Sequence, residues 1–294
     1  MPSLKPYLQL ARPHQYFKNA FVWLPLFFGY KLLDPQAVWL TFGAFLAFCL
    51  AASSVYIFND LKDISEDRQH PVKRARPLAS GAVRPGQAVV FSTVLLALSL
   101  AIVLAFLPPS IFLILAAYLV LNTVYSLFLK HRAIIDVFCI AVGFVLRIFA
   151  GGVAAGVPVS HWLVIMTFLL ALFLALAKRR DDLMLLAQGH HTRRSLDGYS
   201  LEFIQTGMAV MAAVIIVAYI LYTVSPETIS KHGTDQLYLT SFWVIVGLLR
   251  YLQITLVEEK SGSPTEILVR DRFLQAIIFL WLLCFFLSFY VFGH

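Results

Sequence analysis

The feature that most constrains this chain is a succession of apolar stretches, each about as long as a bilayer is thick. There are about nine, and a helix needs ~20 residues to cross the hydrocarbon core. They fall near residues 16–33, 36–58, 87–107, 109–128, 134–155, 161–177, 203–224, 237–256 and 273–291. Of 294 residues, 60% are hydrophobic and 13% charged, about half the charged share of a soluble domain. Mean hydropathy is +0.80. A backbone in lipid has no water to bond, so the expected fold is all-α, an integral membrane protein of about nine transmembrane helices.

Only Pro108-Pro109 separates the third stretch from the fourth, which predicts a tight helical hairpin. The first stretch is the weakest, because Lys18 and Asn19 lie inside it. No short apolar region followed by a small-residue cleavage site is present, so no cleaved leader is expected. No linker or low-complexity segment divides the chain. A single polytopic membrane domain over residues 1–294 is the economical expectation.

Topology follows from the bases. With the N-terminus cytoplasmic, all but Lys31, Arg147 and Lys231 of the 23 lysines and arginines fall at the cytoplasmic side. The net charge of +7 is then gathered on one face, where it sets topology or holds anionic lipids and substrates. Nucleic acid is not an expected partner. Cys49, Cys139 and Cys284 all lie in apolar stretches and read as packing residues. The eight histidines make no metal pattern, and His190-His191 reads as solvated.

Against this background one polar window stands out. Asn59-Asp60-Leu61-Lys62-Asp63-Ile64-Ser65-Glu66-Asp67 follows the second stretch directly. On a continuous helix Asp60, Asp63 and Asp67 share one face, where three like charges repel unless a cation sits between them. Oxygen-only ligands suit Mg²⁺, which binds through a few carboxylates and substrate phosphates. Lys73, Arg74 and Arg76 follow, and they could hold further phosphate oxygens. The window therefore reads as a diphosphate site at a membrane surface.

Other residues resist a lipid explanation. Arg147 lies well inside the fifth stretch, so it should face a cavity or a partner, with an ion pair to Asp136 as the bland alternative. Gly143, Gly151, Gly152 and Gly156 allow close helix approach. Asn122 and Tyr125 either line a pocket or bond between helices. Lys178-Arg179-Arg180-Asp181-Asp182 follows the sixth stretch. The two polar windows, 59–86 and 178–200, are both expected to be cytoplasmic loops facing one pocket.

Asn59-Asp60-x-x-Asp63-x-x-x-Asp67 with Arg76-Pro77-Leu78-Ala79-Ser80-Gly81 resembles the first signature of the UbiA-type membrane prenyltransferases. The nine-segment layout extends that resemblance over nearly the whole chain. It implies helices around a central cavity, a lateral opening for a polyprenyl chain, and an Asp motif that binds Mg²⁺ and a diphosphate. It places the metal on Asp60, Asp63 and Asp67, with Asn59 as a further contact.

One departure matters. Prenyl-transferring members carry a second D-x-x-x-D motif after the sixth segment, whereas here Asp181 and Asp182 are adjacent and Leu185 holds the later position. The preceding Lys178, Arg179 and Arg180 better fit phosphates held without metal. Together with Arg12-Pro13-His14-Gln15-Tyr16-Phe17-Lys18-Asn19 and Asp136-Val137-Phe138 leading to Arg147, this resembles the polyprenyl-phosphate phosphoribosyltransferase branch, mycobacterial decaprenyl type. That branch implies phosphoribosyl pyrophosphate (PRPP) as donor and a polyprenyl phosphate as acceptor. It implies pyrophosphate release, envelope glycan precursors as the destination, and the bacterial inner (plasma) membrane as the place. Lys18, Lys73, Arg74, Arg76, Arg147, Lys178, Arg179 and Arg180 are its candidate phosphate ligands. The alternatives are prenyl transfer to an aromatic acceptor and, outside enzymes, a transporter.

Overall fold

Every amide buried in lipid must find its partner within the chain, and the described residues do this by helix alone, with no strand among them. The computed structural model describes residues 4–69, 73–187, 194–259 and 264–288. His190-His191 and the C-terminal six residues lie outside them. Among the described residues seven helices are long and apolar enough to cross a membrane, and the chain is a multi-pass membrane protein.

In chain order the helices are α1 (Lys5–Ala11), a 3₁₀ helix (Pro13–Trp23), α2 (Leu24–Phe28), α3 (Pro35–Lys62), α4 (Ile64–Gln69) and α5 (Pro85–Phe106). Next come α6 (Pro109–Val124), continued by a π-helical turn (Tyr125–Leu129), α7 (Ile135–Ala155) and α8 (His161–Ala187). The chain goes on through α9 (Leu201–Val224), α10 (Pro226–His232), a 3₁₀ turn (Gln236–Thr240), α11 (Ser241–Leu256), α12 (Pro264–Arg270) and α13 (Arg272–Phe286).

Two expectations change here. The first apolar stretch is not one spanning helix. Arg12 takes a left-handed backbone (φ 53°, ψ 56°), and Pro13 and Pro25 each lack an amide hydrogen, so the chain runs as a 3₁₀ helix and then the short α2. The sixth helix does not stop at residue 177. Lys, Arg, Leu, Met and Ala are all good helix formers, and α8 carries the basic run on its last turns to Ala187 rather than in a loop. The last apolar helix, α13, is described over Arg272–Phe286, and residues 289–291 of the expected stretch lie outside the described residues. The hairpin across Pro108-Pro109 is present: α5 ends at Phe106 and α6 starts at Pro109.

Helix starts follow the sequence. Asp34 accepts from the amides of Gln36 and Ala37 at 3.1 and 3.2 Å, with Pro35 at the first helical position of α3. Ser200 and Asp271 cap α9 and α13 in the same way.

The chain packs as two units, one within Met1–Val159 and Leu185–Ser195, the other within Ser160–Met184 and Leu196–His294. In the first, α3 is the central element and touches α5, α7 and the 3₁₀ helix, while α6 packs on α7. Small residues make the close approach: Ala44, Ala47 and Ala51 of α3 and Ala150 and Ala154 of α7 are buried beside Phe48 and Tyr118. Gly151 is needed more strictly, because a Cβ there would lie 2.0 Å from the Val22 carbonyl oxygen. Ser99 Oγ donates to the Ala47 carbonyl at 2.8 Å, and Ser54 bonds Ser92 at 2.9 Å, tying α5 to α3. The outer face of α5 exposes Val89, Val90, Val94, Leu98 and Leu104, as lipid contact requires.

In the second unit α11 packs on α9 and α13. Tyr219 on α9 bonds Thr240 at 2.7 Å and accepts from Trp281 Nε1 at 2.8 Å. Arg250 grips Asp271 with Nη2 at 2.6 Å and Glu258 with Nη1 at 2.7 Å. That grip, more than any other influence, holds the Asp271 carboxyl below the usual carboxylate range.

Candidate active site

The acid window does not form one helix. α3 ends at Lys62, Asp63 caps it with φ −100° and ψ 12°, and α4 restarts at Ile64. The expectation of three carboxylates on one continuous helical face is therefore corrected. The break separates Asp63 from the other two, and a single arginine joins Asp60 to Asp67. Arg76 Nη1 donates to Asp60 Oδ1 at 3.0 Å and to Asp67 Oδ2 at 2.7 Å. Asp60 also accepts from Arg12 Nη2 at 2.5 Å. Asp63 turns instead to Lys130, which follows the π-helical turn.

Local sequence explains how Arg76 is held. Pro77, Leu78 and Ala79 are buried, and Leu78 and Val83 join Leu10, Ile57, Ala88 and Leu95 in one apolar cluster. The Val83 amide donates to the Pro77 carbonyl at 3.0 Å, and the turn between them needs φ +79° at Gly81, a conformation that suits glycine. Arg68 Nε donates to the Ala79 carbonyl at 3.2 Å. Arg-Pro-Leu-Ala-Ser-Gly is thus an anchor that sets Arg76 against two carboxylates. On the other side Arg12 lies over the Tyr56 ring at 5.2 Å. Its left-handed backbone is strained for a non-glycine residue, a kind of strain that clusters at functional sites.

Asp60 and Asp67, 3% and 4% exposed, direct hard oxygen donors at one positive centre, so the pair fits Mg²⁺. Among the described residues no three carboxylate, imidazole or thiol groups gather as a metal site, and Asp63 is paired with Lys130 rather than gathered with Asp60 and Asp67. Asn59 is half-buried, one position before Asp60.

Deeper along the helices lies a second polar group. Arg147 is 5% exposed, and it does not pair with Asp136. Its Nε donates to Asn19 Oδ1 at 2.7 Å, Nη1 to the Gly143 carbonyl at 2.6 Å and Nη2 to the Tyr118 hydroxyl at 3.1 Å. The rings of Tyr118 and Phe144 stack on its guanidinium at 4.8 and 5.3 Å. Asn19 is fixed by donating to Cys49 Sγ at 3.2 Å, and Tyr16 bonds Ser53 at 2.9 Å. These bonds hold the 3₁₀ helix against α3. Lys18 stands in the field of both Arg147 and Arg12. Partial burial and then the charges of Arg12 and Lys18 hold the His14 imidazole below the usual histidine range.

The remaining predicted ligands divide. Lys73 is half-buried and Arg74 exposed. Asn122 Nδ2 bonds back to the Tyr118 carbonyl at 2.7 Å on its own helix, and Tyr125 opens the π-helical turn. In the second unit Lys178 is exposed, whereas Arg179 and Arg180 are 1% and 2% exposed. Arg179 Nη1 reaches Asp182 at 2.7 Å. Among the described residues Arg180 has only Glu259 at 3.9 Å as an ion-pair partner, and its Nε and the buried Tyr251 hydroxyl lack hydrogen-bond partners. Sequence reasoning missed Arg12, Asn19, Lys130 and Tyr118 as site residues. Lys130 was visible only as a charge, and Arg12 and Asn19 only as the ends of the run that carries the branch resemblance.

A membrane helix bundle whose Asp motif is clasped by arginines defines a class of lipid-substrate transferases. The chain belongs to the UbiA prenyltransferase family, whose profile matches residues 22–283. It is 32% identical over 288 residues to the decaprenyl-phosphate phosphoribosyltransferase of Mycolicibacterium smegmatis, covering 94% of this chain and 89% of that one. It is 31% identical over 295 residues to the Corynebacterium glutamicum protein of the same name, covering 97% and 86%. In fold it resembles a UbiA homologue from Archaeoglobus fulgidus bound to GPP and Mg²⁺, with a TM-score of 0.70 at 22% identity, over 97% of this chain and 100% of that one.

Proposed function

We propose that this protein transfers 5-phosphoribose from PRPP to a polyprenyl phosphate such as decaprenyl or undecaprenyl phosphate. The reaction would release pyrophosphate at the cytoplasmic face of the bacterial plasma membrane and supply envelope glycan precursors. The observation that carries the reading is a carboxylate cluster accompanied by a buried base, Arg147, whose hydrogen-bond partners are all neutral. Prenyl transfer to an aromatic acceptor brings one diphosphate to the site. Phosphoribosyl transfer brings a diphosphate and two phosphate monoesters, so it calls for more cations than carboxylates. The similarity to named phosphoribosyltransferases over nearly the full chain points the same way.

In this reading the bond from ribose C1 to the diphosphate oxygen breaks, its electron pair leaves with pyrophosphate, and an oxygen of the lipid phosphate bonds C1. Asp60 and Asp67, with Asp63, would hold Mg²⁺, which when bound supplies Lewis-acid stabilisation of the leaving diphosphate. Arg76 and Arg12 orient those carboxylates and offer guanidinium forks to diphosphate oxygens. The lipid phosphate is already an anion, so no side chain need remove a proton from it. Arg179 and Arg180 are further phosphate ligands in this account. Purified protein given labelled PRPP and undecaprenyl phosphate, with and without Mg²⁺, tests it. Labelled lipid that requires Mg²⁺ is the expected result, and product only from prenyl diphosphate and 4-hydroxybenzoate would replace it with the aromatic prenyltransferase reading.

A further inference from the structure

Arg147 is a charge buried among neutral partners. Asn19, the Gly143 carbonyl and Tyr118 satisfy three of its N–H groups, and a guanidinium carries five. None of the three partners is an anion. Lys18, next in sequence to the Asn19 that holds Arg147, makes no hydrogen bond or ion pair among the described residues. Among Arg12, Arg76, Lys18, Arg147, Asp60 and Asp67 the cations outnumber the carboxylates by two. All of that excess sits at the Lys18 and Arg147 end, because the two carboxylates are taken by Arg12 and Arg76. Uncompensated cations inside a membrane protein are costly, and they mark sites for an anion.

From this geometry we infer that Lys18 and Arg147, with Asn19 and Tyr118 fixing the guanidinium, form a subsite for a phosphate monoester. A monoester carries about −1.5 to −2 charges near neutral pH, which matches two free cations, whereas a carboxylate brings one. Its three terminal oxygens can accept from both the Arg147 donors left over and the Lys18 ammonium. The subsite is distinct from the Asp60 and Asp67 pair. Cys49, which holds the Asn19 bonded to Arg147, precedes Asp60 by eleven residues on α3, so at about 1.5 Å per residue the two lie roughly three turns apart. The inference rests on the phosphoribosyltransferase reading and deepens it, because both substrates in that reading carry one phosphate monoester: the ribose 5-phosphate of PRPP and the lipid phosphate.

The test is equilibrium binding to the full-length protein in detergent, with ribose 5-phosphate in one arm, farnesyl phosphate in the second and Mg²⁺-pyrophosphate in the third. Wild type is compared with Lys18→Gln and with Arg147→Lys, the latter keeping a charge while losing the fixed fork. The expected result is a loss of at least tenfold in affinity in one or both monoester arms, with pyrophosphate changed by less than about twofold. Loss with ribose 5-phosphate assigns the subsite to the donor, and loss with farnesyl phosphate assigns it to the acceptor. Unchanged monoester binding in both variants, from protein that still makes phosphoribosyl lipid, overturns the subsite and leaves the reaction standing. Wild-type protein that makes no phosphoribosyl lipid and binds neither monoester overturns the reading itself. Lys18→Gln lies on a half-buried residue without bonds to break, so its result stands even if Arg147→Lys does not fold.

Discussion

Arg12 Nη2 and Asp60 Oδ1 meet at 2.5 Å across 48 residues of sequence, joining the start of the chain to the end of its central helix. The pair ties the 3₁₀ helix that carries Lys18 and Asn19 to the same carboxylate that Arg76 shares with Asp67. One guanidinium thus ties the start of the chain to the acid cluster.

Asp60→Asn and Asp67→Asn keep shape but remove a charge from the converging pair. Each should lower turnover roughly a thousandfold, the scale of several kcal/mol of metal-assisted charge stabilisation, while the protein inserts and purifies normally. Asp63→Asn should fall least of the three, because Asp63 is turned to Lys130. Steady-state rates of the three variants in one detergent check the order, and equal, small losses would remove the paired-carboxylate account.

Arg180 and Lys178 separate phosphate binding from membrane anchoring. Arg180 is buried with an Nε that has no partner among the described residues, whereas Lys178 is exposed. Arg180→Gln should raise the apparent PRPP or lipid-phosphate requirement by about tenfold or more, and Lys178→Gln should stay near wild type. If both variants behave like wild type, the basic run only sets topology.

Gly151→Ala should be expensive for a packing reason. Its Cβ would meet the Val22 backbone, which cannot step aside like a flexible side chain. A loss of about 1–3 kcal/mol in stability is expected from such overpacking, read as a lower thermal midpoint in detergent. Because Val22 follows Lys18 and Asn19 on the same 3₁₀ helix, substrate affinity should fall with it.

His232, at the end of α10 and bonded to Tyr222 at 3.3 Å, gives a pH signature. Burial, reinforced by Lys231, pushes its imidazole down to about 4. The folded form is then neutral while the unfolded chain still binds a proton near 6.5. The stability that depends on neutral His232 is complete above about pH 6.5 and is lost as pH falls toward about 4. Thermal midpoints of wild type and His232→Gln should converge over that window, and parallel curves would show that His232 does not contribute.

The sequence revealed the helices and the acid motif because both are local. Apolar length marks a span, and Asp60, Asp63 and Asp67 announce themselves by spacing. Arg12 and Lys130 looked like topology charges, since their partners lie 48 and 67 residues away and no local pattern encodes such pairs. The helical break at Asp63 was hidden because the surrounding residues tolerate a helix. The extension of α8 was hidden for the opposite reason: hydropathy falls at Lys178 while helix propensity does not. The first stretch misled by length, because Pro13 and Pro25 matter more to its geometry than its apolar content.

The most direct measurement is the transfer of label from PRPP to undecaprenyl phosphate by purified protein in the presence of Mg²⁺. The account predicts a labelled phosphoribosyl lipid formed with stoichiometric pyrophosphate, absent with chelator and absent in Asp60→Asn. Active protein that instead moves a prenyl group from its diphosphate to an aromatic acceptor, and leaves PRPP untouched, would contradict it.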